Sequence, residues 1–175
     1  MKRLFCLIIC AVMLAALCGC TTQKQEFIDP VEFYYLLIQP ENHIYHGSSD
    51  SIIAPEQREG YQIRNRMNTL IEVYLNGPAT ESFQSPFPAN TRLITLDTND
   101  KILTVILSDE IAELSGVDLV LACACLSRTF MELWNFETIN IQAENEMLDG
   151  KPVITFDKSN FFLTDDTVTH LQPEN

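Results

Sequence analysis

The chain has 175 residues and a net charge of −13 at pH 7, with 24 acidic residues against 11 basic ones. That balance opposes binding to nucleic acid or to an anionic lipid surface by charge alone. The length suits one domain with one core, and six glycines in all leave no glycine-rich phosphate loop.

The first segment reads Met1, Lys2, Arg3, then the apolar run "LFCLIICAVMLAAL", then "CGC". A short basic start, an apolar stretch and a small-residue exit have the layout of a secretory signal, expected over residues 1–19. The run is shorter than the ~20 apolar residues of a permanent membrane span. Leu17, Cys18, Gly19 and Cys20 resemble the bacterial lipobox. That resemblance implies a diacylglyceryl group on the Cys20 sulfur, with fatty acids such as palmitate, and Cys20 as the new N-terminus. Cys6, Cys10 and Cys18 then leave with the signal peptide, so they form neither a disulfide framework nor a metal site. Two acyl chains at about 0.8 kcal/mol per buried methylene give a stable anchor. Loss of residues 1–19 leaves nine basic against 24 acidic residues, a net of −15. The expectation is a membrane attachment through Cys20 at the extracytoplasmic face, with residues 20–30 as a polar tether.

The folded part is expected over residues 31–156. "VEFYYLLIQ" (31–39), rich in aromatic and aliphatic residues between Pro30 and Pro40, predicts a strand. "PENHIYHGSSD" reads as a loop, and "SIIAPEQREG" as a short extended segment broken by Pro55. Ile63, Met67, Leu70, Ile71 and Tyr74 recur at helical spacing, and Asn76-Gly77-Pro78 ends that helix. "TRLITLDTNDKILTVILS" predicts a hairpin around "TNDK", with Leu103, Val105 and Leu107 on one face and Ile102, Thr104 and Ile106 on the other.

"LSGVDLVLACACLSRTFMELWN" predicts a second helix. Leu119, Cys123, Leu126, Phe130 and Leu133 form its stripe, widened by Val120, Ala124 and Met131, and Ser115 with Asp118 suggests a capping box. "ETINIQAENEML" predicts a further strand and turn, and residues 157–175 an acidic tail. The order is strand, helix, hairpin, helix, strand. It implies a single α+β sandwich of a mostly antiparallel sheet with two packed helices.

The phrases "LIEVYLNGP", "SPFPANTRLITL", "LTVILS", "LACACLSRTFMEL" and "INIQAEN" occur in this order. Together they resemble the GerM-type sporulation and spore-germination domain, over about residues 31 to 154. The upstream "IIAPEQREG" is similar to that family's strand and arginine-bearing segment. Ile106 stands where the family usually has Asp. "RTFME" replaces "TLTE" but keeps Thr129 and Glu132, and Glu144-Asn145 takes the place of an Asp-Gly turn. The resemblance implies a domain similar to ring-building folds of envelope assemblies, which dock proteins onto proteins and bring no catalytic residues.

The residues themselves offer little chemistry. Cys123 and Cys125 lie about 200° apart around a helix, too divergent to pair or to chelate one metal. His43 and His46, near Glu41 and Asp50, lack a third partner at metal spacing and read as loop histidines. "DTNDK" lacks the glycine and the twelfth-position acid of a calcium loop. Asp109-Glu110 and Asp165-Asp166 are neighbours in sequence and point apart, unlike an acid–base pair. No enzyme, metal or cofactor is expected. The leading function is a non-catalytic protein-docking module of a bacterial envelope. Its candidate surfaces are Ile102, Thr104 and Ile106, or the aromatic run Phe33, Tyr34 and Tyr35. The alternative is a lipoprotein that captures a cell-wall fragment or small molecule.

Overall fold

The structure is a computed structural model and describes residues 30–38, 52–59 and 66–160. Seven strands, two α-helices and two short 3-10 helices alternate in these residues. The strands are β1 (Val31–Leu37), β2 (Ile53–Arg58), β3 (Phe83–Gln84), β4 (Leu93–Asn99), β5 (Ile102–Leu107), β6 (Thr138–Ala143) and β7 (Ile154–Asp157). The helices are α1 (Met67–Leu75) and α2 (Gly116–Trp134), with 3-10 helices at Asp109–Glu113 and Lys158–Asn160. The α+β expectation holds, but the strands divide between two sheets, ordered β2-β1-β3 and β4-β5-β6-β7.

In the first sheet β1 is central, and both of its faces are covered. Val31, Phe33 and Tyr35 enter the main core with Leu70, Ile71 and Tyr74 of α1. Tyr34 on the other face packs with Ile53, Ala124 and Cys125, and Leu36 lies beside them. This double burial explains a run with no polar alternation beyond Glu32. Pro55 does not break β2, as the sequence suggests. The Leu37 N–H donates to the Ile52 carbonyl at 2.9 Å, and Tyr34 stands opposite Pro55. Odd-numbered β2 residues therefore turn their backbone groups to the free edge, where a missing N–H leaves no ladder bond unmade. β3 is a pairing of only two residues, hidden in sequence among Pro86, Pro88 and polar neighbours.

The first helix ends as expected. Gly77 follows the Asn76 cap at φ +91°, a region that costs glycine nothing and other residues more. The described helix begins at Met67, and Ile63 lies outside the described residues. α2 is buried around most of its circumference: Leu119, Ala122, Cys123, Ala124, Cys125, Leu126, Phe130 and Met131 all lie inside. Val120 does not widen the buried stripe; it is 52% exposed near the helix start. The expected Ser115–Asp118 capping box is not formed, because Ser115 makes no side-chain cap bond. Instead the first N–H of the helix, at Gly116, donates to the Asp149 carboxylate at 2.8 Å. That carboxylate comes from a distant turn, which short-range sequence patterns do not report. Asn135 closes the helix in the left-handed region at φ 56°.

The second sheet contains the expected hairpin. Asn99 pairs with Ile102, so Asp100 and Lys101 form the loop, Asp100 at φ 53°. β5 then pairs in parallel with β6, with α2 as the crossover, and β7 returns antiparallel to β6. The sheet is therefore mixed, and β7 lies beyond the strand and turn expected in "ETINIQAENEML", at the end of the expected folded part, where no strand is expected. Leu103, Val105 and Leu107 of β5 join Ile139 and Ile141 of β6 against α2 in the main core. The left-handed turn after β6 is not at Asn145 but at Asp149-Gly150, where φ is 47° and 73°. Leu148 and Lys151 close it with reciprocal backbone bonds of 2.8 and 3.0 Å. Two successive positive φ values select Asp-Gly, so this chain makes its left-handed turn a few residues beyond Glu144-Asn145.

Candidate docking surface

The pleat decides which residues the second sheet presents to solvent. Ile102, Thr104 and Ile106 lie on its outer face, Ile102 being 38% exposed and the other two half-buried by their neighbours. Opposite them on β4 stand Asn99, Asp97 and Thr95, and on β6 Thr138, Asn140 and Gln142. The face is knitted by side chains: Asn140 Nδ2 donates to Thr104 Oγ1 at 3.5 Å and Thr155 Oγ1 to Asn140 Oδ1 at 2.8 Å. Thr138 Oγ1 donates to Asp157 at 3.2 Å. The Asp157 carboxyl is held below its ordinary value by the Ser159 hydroxyl first, then by the Ser159 N–H. The result is a threonine- and amide-rich surface with isoleucines set in it, flanked by the carboxylates of Asp97 on β4 and Asp157 on β7. It is less apolar than an Ile-Thr-Ile row suggests.

The aromatic run is not a surface. Phe33 and Tyr35 are fully buried and Tyr34 nearly so. Tyr35 stacks on Tyr74 at 4.9 Å, and Phe33 and Phe130 meet the same ring at 5.6 and 5.4 Å. Trp134 stacks on Phe130 at 4.8 Å. These rings are packing units.

Four residues whose roles sequence reasoning missed join the helices to β1. Thr129 Oγ1 accepts the Tyr34 N–H at 2.9 Å and donates to the Cys125 carbonyl at 2.9 Å. Tyr74 donates its hydroxyl to the Tyr34 carbonyl at 3.0 Å. Glu132 accepts the Tyr34 hydroxyl at 2.8 Å, and Arg128 lies over the Tyr34 ring at 4.4 Å. Thus Thr129 and Glu132, the two residues kept in "RTFME", both grip Tyr34. Burial, then the bond to Glu132, pushes the Tyr34 phenol up to about 12, so it remains a donor across ordinary pH.

A second buried polar group is Glu56 on β2, 3% exposed. Its carboxylate accepts from Ala79 N–H at 2.9 Å, from Thr80 N–H at 2.8 Å, from the Thr80 hydroxyl and from Arg58 Nε at 2.7 Å. Arg58 also donates to the Gly77 carbonyl at 2.6 Å. Burial alone would raise the Glu56 carboxyl; the hydrogen bonds from Ala79, Arg58 and Thr80 outweigh it and leave the value lowered. The pair clamps the turn after α1, and this is the work of the arginine in "IIAPEQREG".

Cys123 and Cys125 do diverge, Cys123 into the main core and Cys125 toward Tyr34. Burial pushes both thiols up to about 12, far from reactivity. Asp109 and Glu110 point apart, Asp109 accepting the Asn145 N–H at 2.8 Å and its amide at 3.0 Å. Among the described residues no group of three His, Cys, Asp or Glu could hold a metal ion, and no helix is long and apolar enough to cross a membrane. Leu17, Cys18, Gly19, Cys20, His43, His46, Asp165 and Asp166 lie outside the described residues.

The pattern of the Germane family, described as sporulation and spore germination, matches residues 32–149. That span covers both sheets up to the Asp149 turn. The chain belongs to the Germane family. No curated protein matches it. Among solved structures it is similar to the first GerMN domain of the Bacillus subtilis sporulation protein GerM, at 13% identity and a TM-score of 0.56. That likeness covers 75% of this chain and 99% of the other. It is also similar to the tandem GerMN domains of the same protein, at 13% identity and a TM-score of 0.49. There the match covers 73% of this chain but only 43% of the tandem chain. At such identities the GerMN likeness establishes the fold. The Germane phrases map onto joints of that fold: Gly77 at a helix end, Thr129 and Glu132 at the β1–α2 seam.

Proposed function

We propose that this Germane chain is a lipid-anchored, extracytoplasmic, non-catalytic docking module of the bacterial cell envelope that serves sporulation or spore germination. The family description supports the process, and the lipobox at Leu17–Cys20 supports the anchor. One observation carries the docking role. The buried polar groups tie the fold to itself, while the second sheet leaves Ile102, Thr104 and Ile106 on an outer face made mostly of threonine and amide side chains, with Asp97 and Asp157 beside them. Charge-poor, partly apolar patches are where protein partners dock at low desolvation cost. The partner is an envelope protein, and nucleic acid is disfavoured by the net negative charge.

Metabolic labelling with an alkyne fatty acid tests the anchor. Label is expected in the wild-type chain and absent from Cys20→Ala, which should also lose its membrane fraction. Equal labelling of both chains would refute the anchor.

A further inference from the structure

Beside β4 the chain forms a trough lined by charges of both signs. Two adjoining hollows of about 850 and 350 Å³ share Leu75, Asn76, Thr91 and Arg92. Glu110 lines the first, Glu72 lines the second, and Arg92 lines both. The backbone of Arg92 is pinned to the end of β5: its N–H donates to Ser108 Oγ, and its carbonyl accepts the Ser108 N–H, both at 2.9 Å. Its side chain is exposed and makes no hydrogen bond or ion pair among the described residues.

Glu110 differs from its neighbour in the same way. The Asp109 carboxylate is taken up by Asn145 and the Glu146 N–H. Glu110 is met by the Ser108 hydroxyl and its own N–H, while its Oε2 is shielded from water without a hydrogen bond. The Ser108 hydroxyl first, and also the charge of Arg92, hold the Glu110 carboxyl below its ordinary value. Two charges of opposite sign thus line one trough without a direct ion pair between them, and Glu72 adds a second acid on the exposed face of α1.

The shape selects the ligand class. Sites for small molecules enclose most of the ligand, whereas this trough is open to solvent along its length. An extended peptide needs only such a channel. Leu75 and Phe87 offer apolar floor, and the amides of Asn76 and Asn90 can bond a main chain. Side chains of an extended segment share a face at every second residue, so an acid–base–acid wall is matched by a base–acid–base peptide.

We propose that the trough between α1 and β4 binds an extended segment of a partner protein in which two basic side chains flank an acidic one. The bases face Glu110 and Glu72, and the acid faces Arg92. This goes beyond docking on the outer sheet face and does not depend on the lipid anchor. The test uses the full chain in detergent and fluorescein-labelled acetyl-Lys-Thr-Glu-Thr-Lys-amide, read by anisotropy. Saturable binding is expected, weakened roughly tenfold by Arg92→Glu and by Glu110→Gln. The Arg92→Glu chain should regain affinity for acetyl-Lys-Thr-Lys-Thr-Lys-amide, which a merely misfolded variant cannot do. Equal binding of the reordered peptide acetyl-Lys-Lys-Thr-Thr-Glu-amide would overturn the proposal. So would indifference to both substitutions, competition by free lysine as effective as the peptide, or no saturable binding at all.

Discussion

The two sheets treat their polar groups in opposite ways. Around β1, side chains from two helices complete what strands would otherwise provide: Thr129 and Tyr74 take the backbone groups of Tyr34. On the far edge Pro55 removes a donor that a passing strand would seek. Glu56 and Arg58 close the corner beneath. The second sheet buries one face as thoroughly but leaves the other to water, and its longest edge strand, β4, borders the trough. The first sheet is thus closed on both faces and the second open on one, within one small domain.

Breaking the closed side should cost most. Glu56→Ala removes the acceptor of Ala79, Thr80 and Arg58 inside the protein, and a loss of about 3 kcal/mol is expected in urea unfolding. The same carboxylate predicts a pH dependence. Its folded value lies below the ordinary 4.5. The unfolded chain therefore binds its proton first as pH falls, and the stabilisation, complete above 4.5, is lost on the way down to the folded value. Glu56→Gln should flatten the acid limb of a plot of stability against pH. An unchanged limb would mean that Glu56 is not the group responsible.

Thr129→Val is milder, because the shape is kept and one buried N–H, that of Tyr34, loses its acceptor. A loss of about 1–2 kcal/mol is expected in the same unfolding measurement. A neutral result would show that the β1–α2 seam rests on apolar contact alone. On the open side, Thr104→Lys should alter stability by no more than about 0.5 kcal/mol, measured as a shift in thermal midpoint. A large loss there would mean that the outer face belongs to the fold rather than to a partner.

Periodic signals carried much of this architecture. The stripe of Leu119, Cys123, Leu126 and Phe130 and the alternation of Leu103, Val105 and Leu107 are local consequences of 3.6 and 2.0 residues per repeat. Both are as buried as their spacing requires. What eluded the sequence is long-range. Asp149 caps a helix that begins 33 residues earlier, Tyr34 is held by residues about a hundred positions away, and β3 is too short to have a period. Phe33, Tyr34 and Tyr35 were ambiguous because double burial and surface exposure leave the same aromatic run. In the candidate surface, the facing of Ile102, Thr104 and Ile106 was readable from the pleat. The threonine and asparagine bonds that cross it were not, because they join strands far apart in the chain.

The central claim is that partners meet the second sheet and not the first. Site-specific photo-crosslinking in intact cells tests it directly, with the crosslinker placed at Thr104 on the outer face or at Gln57 on the exposed side of β2. A discrete protein adduct from Thr104 and none from Gln57 is the predicted result. An adduct from Gln57 alone, or none from either position while the chain is present and folded, would contradict the account.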